Sequence, residues 1–279
     1  MKRSFVKMHG CGNDYIYFDC LKEELPQPEK WSIQLSDRHF GIGGDGIVLI
    51  CPSETADAKM RMFNADGSEG KMCGNAIRCV GKYLYESGTV PKKEMTIETL
   101  SGIKHLLLTV SGKGVLSVTV DMGEPILKAS RIPTLFHMDT VIGQPLDVNG
   151  EEYRVTCVSM GNPHCVVFMN EVETLPIEKI GPQFENHPMF PERVNTEFIQ
   201  VIRRNELRMR VWERGSGETW ACGTGACAAV VASVLHGYCD EGAEVTVHLN
   251  GGDLTIRDMG ETGWMTGTAV KVFEGIIEL

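Results

Sequence analysis

Apolar and polar residues alternate along most of this chain with a period of two, the spacing typical of strands. In the first half, the pattern predicts strands at residues 15–18, 47–50, 59–63, 95–98, 105–110 and 116–121. In the second half, it predicts strands at residues 155–158, 166–169, 196–202, 207–212, 245–249 and 254–257. Gly-containing pairs such as Asp66-Gly67 and Ser101-Gly102 separate neighbouring strands as turns. Short helices are expected after Trp31 and around Ile180.

Two longer segments have a helical pattern, and each begins just after a Cys-Gly pair. The first extends from about residue 75 to 86 and ends at Gly88, and the second extends from about 224 to 236 and ends at Gly237. A glycine directly after the last turn is a common helix terminator. The second segment is apolar nearly all round, so we expect it to be buried inside a sheet.

The two halves of the chain follow one pattern at a constant offset. Cys73-Gly74 and Cys222-Gly223 are separated by 222 − 73 = 149, and Gly12-Asn13 and Gly161-Asn162 by 161 − 12 = 149. Further matches at this offset are Val6/Val155, Ile50/Ile199, Leu100/Leu249, Gly102/Gly251 and Gly114/Gly263. Such an ungapped register indicates an internal duplication. The predicted fold is α+β, with two pseudo-symmetric domains, each a curved, mainly antiparallel sheet wrapped around a central helix.

The offset also predicts the domain boundaries. The first domain is expected at residues 1–122 and the second at 123–266. The C-terminal segment 267–279 aligns with the last strand of the first copy, and it is expected to return to the first domain.

Composition and charge exclude several classes of protein. A formal net charge of −10 argues against nucleic acid or an anionic membrane as a partner. The chain has no apolar run of 18 residues and no recognisable signal peptide, so no membrane helix and a cytoplasmic location are expected. Its ten cysteines are not expected to form a disulfide scaffold, because the chain is long and has no secretory signal. They include no Cys-x-x-Cys spacing, so no metal site is expected either.

The two Cys-Gly pairs are the strongest candidates for chemistry. A thiol at a helix N-terminus lies near free N–H groups and the positive end of the helix dipole, which lowers its pKa from ~8.5 toward roughly 3.5–7.5. The same N–H groups bind a carboxylate. Two such thiols on opposite faces of one Cα can invert it, one as base and the other as acid. A single Cys-Gly pair would be explained by a buried cap, but two in register favour Cys73 and Cys222 as a catalytic pair.

Polar residues follow the same offset around these cysteines. Asn13 corresponds to Asn162, and Asn64 corresponds to Glu213. Arg214 offers a two-point contact to a carboxylate, while Glu213 offers a partner for an ammonium group. For His164, a core position and a position beside a thiol remain equally open.

The motifs together resemble the diaminopimelate epimerase family over essentially the whole chain. The resemblance is carried by Gly12-Asn13-Asp14, Phe63-Asn64-Ala65-Asp66-Gly67-Ser68, Met72-Cys73-Gly74-Asn75, Arg78-Cys79, Gly161-Asn162-Pro163-His164, Val194-Asn195-Thr196, Glu213-Arg214-Gly215 and Ala221-Cys222-Gly223-Thr224-Gly225. It implies interconversion of LL- and meso-2,6-diaminopimelate, on the route to lysine and peptidoglycan, without pyridoxal phosphate, any other cofactor or a metal.

The resemblance also implies a role for each matching residue. Cys73 and Cys222 would be the acid and base of an isomerase. The carboxylate at the reacting centre would be held by Gly74, Asn75, Gly223 and Thr224, and the far end of the substrate would be read by Asn64, Asn162, Asn195 and Arg214. Asn13 and Glu213 would also contact the substrate, and His164 would lie behind a thiol. The chain departs from some relatives at Gly46, where they have Gln, and at Ala76, where Gly is common.

Three alternatives remain open from the sequence. A proline or hydroxyproline racemase of the same fold would usually have His in place of Asn75, and its substrate offers no distal group for Arg214. A thiol redox module would form a reversible disulfide between the two cysteines, and an amino-acid-binding module would need neither thiol. The expected partner is a small molecule, and the sequence leaves a homodimer open.

Overall fold

Strands and helices follow one another in the same order in the two halves of the chain. The computed structural model describes residues 2–112 and 114–279. The chain divides into one unit of Met1–Asp121 with Thr266–Leu279 and a second unit of Met122–Met265. We call them the first unit and the second unit.

The elements in the first part of the chain are β1 (Lys2–Gly10), β2 (Asn13–Asp19), α1 (Pro28–Ser36), β3 (Gly46–Cys51), β4 (Ala58–Asn64), β5 (Glu69–Gly70), α2 (Gly74–Glu86), β6 (Glu94–Thr99), β7 (Gly102–Ser111) and β8 (Gly114–Gly123). After a short 3-10 turn at Ala129–Arg131 come β9 (Gln144–Val148), β10 (Glu151–Ser159), β11 (Pro163–Met169), α3 (Ile177–Glu185), β12 (Asn195–Arg203), β13 (Glu206–Glu213), β14 (Gly217–Thr219), α4 (Gly223–Leu235), β15 (Glu244–Leu249), β16 (Gly252–Asp258), β17 (Gly263–Gly267) and β18 (Val270–Glu278).

Strand pairing repeats between the two units. In the first unit, β1 lies between β18 and β2, and in the second unit β10 lies between β9 and β11, with antiparallel pairing throughout. The next neighbour is parallel in both units: β2 pairs with β3, and β11 pairs with β12. Even the register agrees with the offset of 149, because Tyr15 pairs with Gly46 and His164 pairs with Asn195. The fold is therefore α+β with two similar halves, as the sequence predicts.

Each unit contains one long helix that packs against its strands. Helix α2 contacts β1, β2 and β7, and α4 contacts β10, β11, β12 and β16. Ten of the thirteen residues of α4 are buried, which confirms the expectation from its apolar sequence. Gly88 and Gly237, which follow the two helices, have φ angles of 76° and 73°, a backbone conformation that favours glycine.

The sequence pattern left several elements unpredicted. Strand β1 and the short strands β5, β9, β14 and β17 lie outside the predicted segments, and α1 begins at Pro28, before Trp31. Burial of charge explains β1: Arg3 and Lys7 are buried, and they pair with Glu23 and Asp14. A pattern that treats every charged residue as exposed does not identify such a strand. Among the described residues, no helix is long and apolar enough to cross a membrane.

Candidate active site

Cys73 caps the first long helix with its own side chain. Its backbone is extended, with φ −137° and ψ 119°, and its sulfur accepts a hydrogen bond from the N–H of Ala76 at 3.5 Å. The thiol donates to Oδ1 of Asn13 at 3.3 Å, and Nδ2 of Asn75 donates to the same oxygen, also at 3.3 Å. Three of the predicted site residues of the first unit are thus in one hydrogen-bonded group.

The orientation of Asn13 is fixed by a carboxylate behind it. Its Nδ2 donates to Oδ2 of Asp45 at 2.6 Å, and the N–H of Asp14 donates to the same oxygen. A carboxylate oxygen can only accept here, so Oδ1 of Asn13 must face the thiol of Cys73. Arg38 bridges Asp14 and Asp45, which ties this side of the site to the loop before β3.

A fully buried arginine supports the start of α2. The guanidinium of Arg78 donates to the carbonyl of Gly74 at 3.2 Å, to Oδ1 of Asn75 at 2.9 Å and to the carbonyl of Thr268 at 3.2 Å. These bonds fix the first turn, where Gly74 and Asn75 were predicted to bind a carboxylate. Asn64 lies at the end of β4, and its Nδ2 donates to Oγ of Ser68 at 3.0 Å.

Cys222 caps α4 in the corresponding way. Its sulfur accepts from the N–H of Gly225 at 3.4 Å and lies 3.5 Å from Oγ1 of Thr224. Burial raises the pKa of Cys222 well above its ordinary value, and the carboxylates of Glu213 and Glu197 raise that pKa further. The predicted lowering of this pKa by the helix start is therefore wrong, because burial and two nearby negative charges outweigh the helix dipole.

Cys222 is also the start of a chain of hydrogen bonds within the second unit. Asn162 donates from Nδ2 to Oγ1 of Thr224 at 3.3 Å, and its Oδ1 lies 3.1 Å from Nε2 of His164. Nδ1 of His164 lies 2.7 Å from Oε1 of Glu197. The sequence left open whether His164 is a core residue or lies near a thiol. The structure combines the two, because His164 is fully buried and is linked to Cys222 through these hydrogen bonds.

Glu213 lies at the end of β13, beside Cys222. Burial raises the pKa of Glu213, and a hydrogen bond from the hydroxyl of Thr219 and another from Cys222 lower it in part. A carboxyl group with a raised pKa next to a thiol is a suitable proton partner for that thiol.

Asn195 and Arg214 are held together by main-chain hydrogen bonds. Oδ1 of Asn195 accepts from the N–H of Arg214 at 2.9 Å, and its Nδ2 donates to the carbonyl of Pro163 at 2.8 Å. The guanidinium of Arg214 donates to the carbonyl of Glu192 at 2.9 Å. Asn195 therefore positions the backbone of Arg214, and its predicted contact with substrate stays a prediction.

The site has the same plan in both units, but its charges differ. In each unit a cysteine caps the long helix, and an asparagine from the start of the second strand or just before it is hydrogen-bonded into the group. A buried arginine stands behind the first cysteine, whereas two carboxylates stand beside the second. The described residues contain no group of three or more His, Cys, Asp or Glu side chains that could bind a metal ion.

Comparison with known proteins agrees with this arrangement. The family model described as "Diaminopimelate epimerase" matches residues 5–128 and 156–272, which contain both cysteines. A diaminopimelate epimerase of Acetivibrio thermocellus is 56% identical over 277 residues, covering 99% of this chain and 98% of its own. One from Methanococcus maripaludis is 54% identical over 277 residues, covering 99% of both chains. The chain belongs to the diaminopimelate epimerase family.

Solved structures with the same fold extend beyond the diaminopimelate epimerase family. A hydroxyproline epimerase of Agrobacterium vitis with bound trans-4-hydroxy-L-proline matches with a TM-score of 0.69 and 15% identity, over 99% of this chain and 91% of its own. A phenazine biosynthesis protein of the PhzF family from Bacillus anthracis matches with a TM-score of 0.70 and 18% identity over the full length of both. At these identities the likeness shows the fold alone.

Two features of the candidate site were missed from the sequence: the carboxylate of Glu197 and the guanidinium of Arg78. Glu197 lies in a run that was interpreted only as a strand, and Arg78 was noted only as part of a motif. The offset of 149 contains a signal for both, because Glu197 corresponds to Val48 and Arg78 corresponds to Cys227. In both pairs a charged residue in one copy corresponds to an apolar residue in the other, and both charged residues are fully buried.

Proposed function

We propose that the chain is an isomerase that interconverts LL- and meso-2,6-diaminopimelate without a cofactor, in the supply of precursors for lysine and peptidoglycan. The single observation that carries the proposal is the 56% identity to a diaminopimelate epimerase over nearly the full length of both chains. The matched geometry of Cys73 and Cys222, each capping the long helix of its unit, supports a mechanism with two thiols.

In the proposed reaction, one cysteine as thiolate removes the Cα proton, and the other cysteine as thiol delivers a proton to the opposite face. The electron pair left by the departing proton moves into the adjacent carboxylate. N–H groups at the helix starts, of Gly74 and Asn75 and of Gly223 and Thr224, stabilise the charge that develops on that carboxylate. The exchange is balanced, because one proton enters and one leaves the substrate.

The remaining predicted site residues are proposed to select the substrate. Asn64, Asn162, Asn195 and Arg214 would bind the distal amino-acid end, and Asn13 and Glu213 would contact the substrate as well. The hydrogen bonds of Asn13 to Asp45 and of Asn195 to the backbone of Arg214 support this role, because they hold side chains at fixed positions before substrate binds.

The cellular setting remains a proposal from the sequence. A cytoplasmic location is supported by the ten cysteines, none of which is in a disulfide. A small-molecule substrate is the expected partner, and a homodimer remains open.

The proposed activity is tested by incubating the protein with LL-diaminopimelate in D2O and following the substrate by NMR and mass spectrometry. We expect one deuterium at the inverted Cα as meso product accumulates, with no cofactor added. Exchange with L-proline instead of diaminopimelate would reassign the chain to a proline racemase.

Removal of either thiol tests the mechanism. Cys73→Ala and Cys222→Ala should each reduce kcat by at least about 100-fold, because general acid–base groups contribute roughly 10²- to 10⁴-fold. Cys79→Ala and Cys227→Ala are matched controls in the same two helices, and both should keep activity within a few-fold. Full epimerisation by either of the first two variants would contradict the two-thiol mechanism, and reversible disulfide reduction without epimerisation would indicate a redox module.

A further inference from the structure

Glu197 is a buried carboxylate close to the start of α4. It is the third residue of β12 and is fully buried, and its Oε1 lies 2.7 Å from Nδ1 of His164. Its second oxygen, Oε2, is buried without a hydrogen-bond partner among the described residues. A buried carboxylate with one unpartnered oxygen costs free energy, so its retention calls for a reason other than stability.

The carboxylate approaches the helix through a gap left by a glycine. A Cβ added to Gly225 would lie 2.6 Å from Oε1 of Glu197 and 3.2 Å from Sγ of Cys222. Both atoms therefore lie close to one point, and the carboxylate oxygen is no more than about 6 Å from the sulfur. Glycine at position 225 is what allows this approach.

The first unit lacks the arrangement. At the offset of 149, Glu197 corresponds to Val48, and Gly225 corresponds to Ala76, whose Cβ occupies the place of the gap. The group behind the first helix start is instead the guanidinium of Arg78, which corresponds to Cys227. The two copies thus place opposite charges behind their cysteines.

We infer that Glu197 is a positioning residue that keeps the proton on Cys222 in the free enzyme. The inference rests on the proposed function, in which Cys222 is an acid or base. Oε1 of Glu197 is the negative end of its pair with His164, and it would repel a thiolate at the same buried helix start, so Glu197 favours the neutral thiol. Cys222 then begins the reaction as the proton donor, and the loss of its proton leaves it as the thiolate that acts as base in the reverse direction.

The other charged groups around Cys222 are Glu213 and His164, and neither cancels the effect of Glu197 on the pKa of Cys222. Glu213 adds a second negative charge beside the sulfur and accepts a hydrogen bond from the thiol. His164 shares one proton with Glu197, because its Nε2 must donate to Oδ1 of Asn162 and its Nδ1 faces the carboxylate. The pair is therefore a dipole, and its negative end faces the gap at Gly225. Glu197 and Glu213 both raise the pKa of Cys222 beyond the effect of burial.

The test is the pH profile of Cys222 modification in the free protein. Full-length wild type and Glu197→Gln are treated with methyl methanethiosulfonate across pH 6–11, and labelling of the Cys222 peptide is measured by mass spectrometry. We expect the midpoint to fall by about one pH unit in Glu197→Gln, which makes modification about tenfold faster below the midpoint. Glu197→Val, which installs the first-unit residue, should lower the midpoint at least as far.

Glu185→Gln is the matched control. Glu185 is also a buried carboxylate of the second unit, but it accepts from Trp212, Gly215 and Arg193. Its loss should leave the Cys222 midpoint unchanged. An equal shift in this control, or an unchanged or higher midpoint in Glu197→Gln, would overturn the inference.

A measurement on the wild type keeps the inference falsifiable if Glu197 variants fail to fold. The Cys222 midpoint must then lie above the ordinary ~8.5 of a cysteine, and a lower value would refute the role of Glu197. Because no substrate is used, this result is independent of the D2O experiment. If the midpoint shifts but epimerisation fails, only the proposed function is contradicted. If epimerisation is normal but the midpoint does not shift, only the inference about Glu197 is contradicted.

Discussion

At the scale of single residues, Gly46 shows how the backbone can exclude a side chain. The resemblance to the family implies Gln at this position in some members. In this chain an added Cβ at Gly46 would lie 2.0 Å from the carbonyl oxygen of Phe63, which is a backbone atom, and 2.9 Å from the ring of Tyr15. Gly46 pairs with both Asn64 and Tyr15 in the sheet, so neither neighbour is free to move away.

Replacement of this glycine should therefore destabilise the fold. Gly46→Gln is expected to lower the free energy of unfolding by at least about 2 kcal/mol, because the clash involves backbone in a paired strand. Urea unfolding followed by circular dichroism measures the change. Gly114→Ala is the control: its nearest neighbour would be 3.7 Å away, and a change within about 0.5 kcal/mol is expected. Equal stability of Gly46→Gln would mean that the strands separate there at little cost.

The sequence predicted those features of the candidate site that depend on neighbouring positions. A cysteine followed by glycine at the start of a helix can be recognised within a few positions, and Cys73 and Cys222 do cap their helices. Glu197 and His164 are 33 positions apart, and they meet only because β11 and β12 are parallel neighbours. The raised pKa of Cys222 has the same origin, since burial and charges from distant positions decide it.

At the scale of elements, α4 is filled with small side chains because it is enclosed. Ala226, Ala228, Ala229 and Ala232 are all fully buried, and the helix contacts four strands. Interiors are close-packed, so the space around such a helix admits few extra atoms.

A larger side chain in this helix should not be accommodated. Ala229→Leu is expected to lower the free energy of unfolding by about 1–3 kcal/mol through overpacking. Leu235→Ala, at the end of the same helix where 40% of the side chain is exposed, should change it far less. Differential scanning calorimetry of both variants gives the comparison, and a neutral Ala229→Leu would indicate an unfilled cavity beside α4.

The elements also show where a periodic pattern succeeds. The pattern identified α2 and α4 because each combines an apolar sequence with a terminating glycine. The pattern did not identify β1, because Arg3 and Lys7 point inward and form ion pairs with Glu23 and Asp14. Strands of two or three residues, β5 and β14, are too short to show any period.

At the scale of the whole molecule, the first unit includes the C-terminal strand. Strand β18 pairs with β1 over eight positions, from Lys2 with Glu278 to His9 with Val270. The rings of Phe5 and Phe273 lie edge to face at 5.9 Å across this pair. Without β18, the outer edge of β1 would lose its hydrogen-bond partners and Phe5 would be exposed.

Truncation before β18 should therefore destabilise the first unit selectively. A chain ending at Ala269 is expected to lose amide protection in β1 and at least about 4 kcal/mol of local stability, at roughly 0.5 kcal/mol or more for each lost hydrogen bond. Hydrogen exchange measured by mass spectrometry reports the protection strand by strand. Ile276→Ala is the control, since 73% of that side chain is exposed, and it should leave β1 protected. Normal protection of β1 after truncation would show that β2 alone is sufficient to hold it.

The pairing of β1 with β18 also has a consequence for the order of events during translation. About 260 residues separate the two strands, and the entire second unit lies between them in the sequence. At a synthesis rate of roughly 5–20 residues per second, on the order of 13–50 s pass between the synthesis of β1 and the synthesis of β18. During that interval the second unit, whose β9 and β10 are adjacent in sequence, has all its own strands available. The half that is translated first is thus the one that finishes folding last, and its open strand edge is the part of the nascent chain that a chaperone would need to shield.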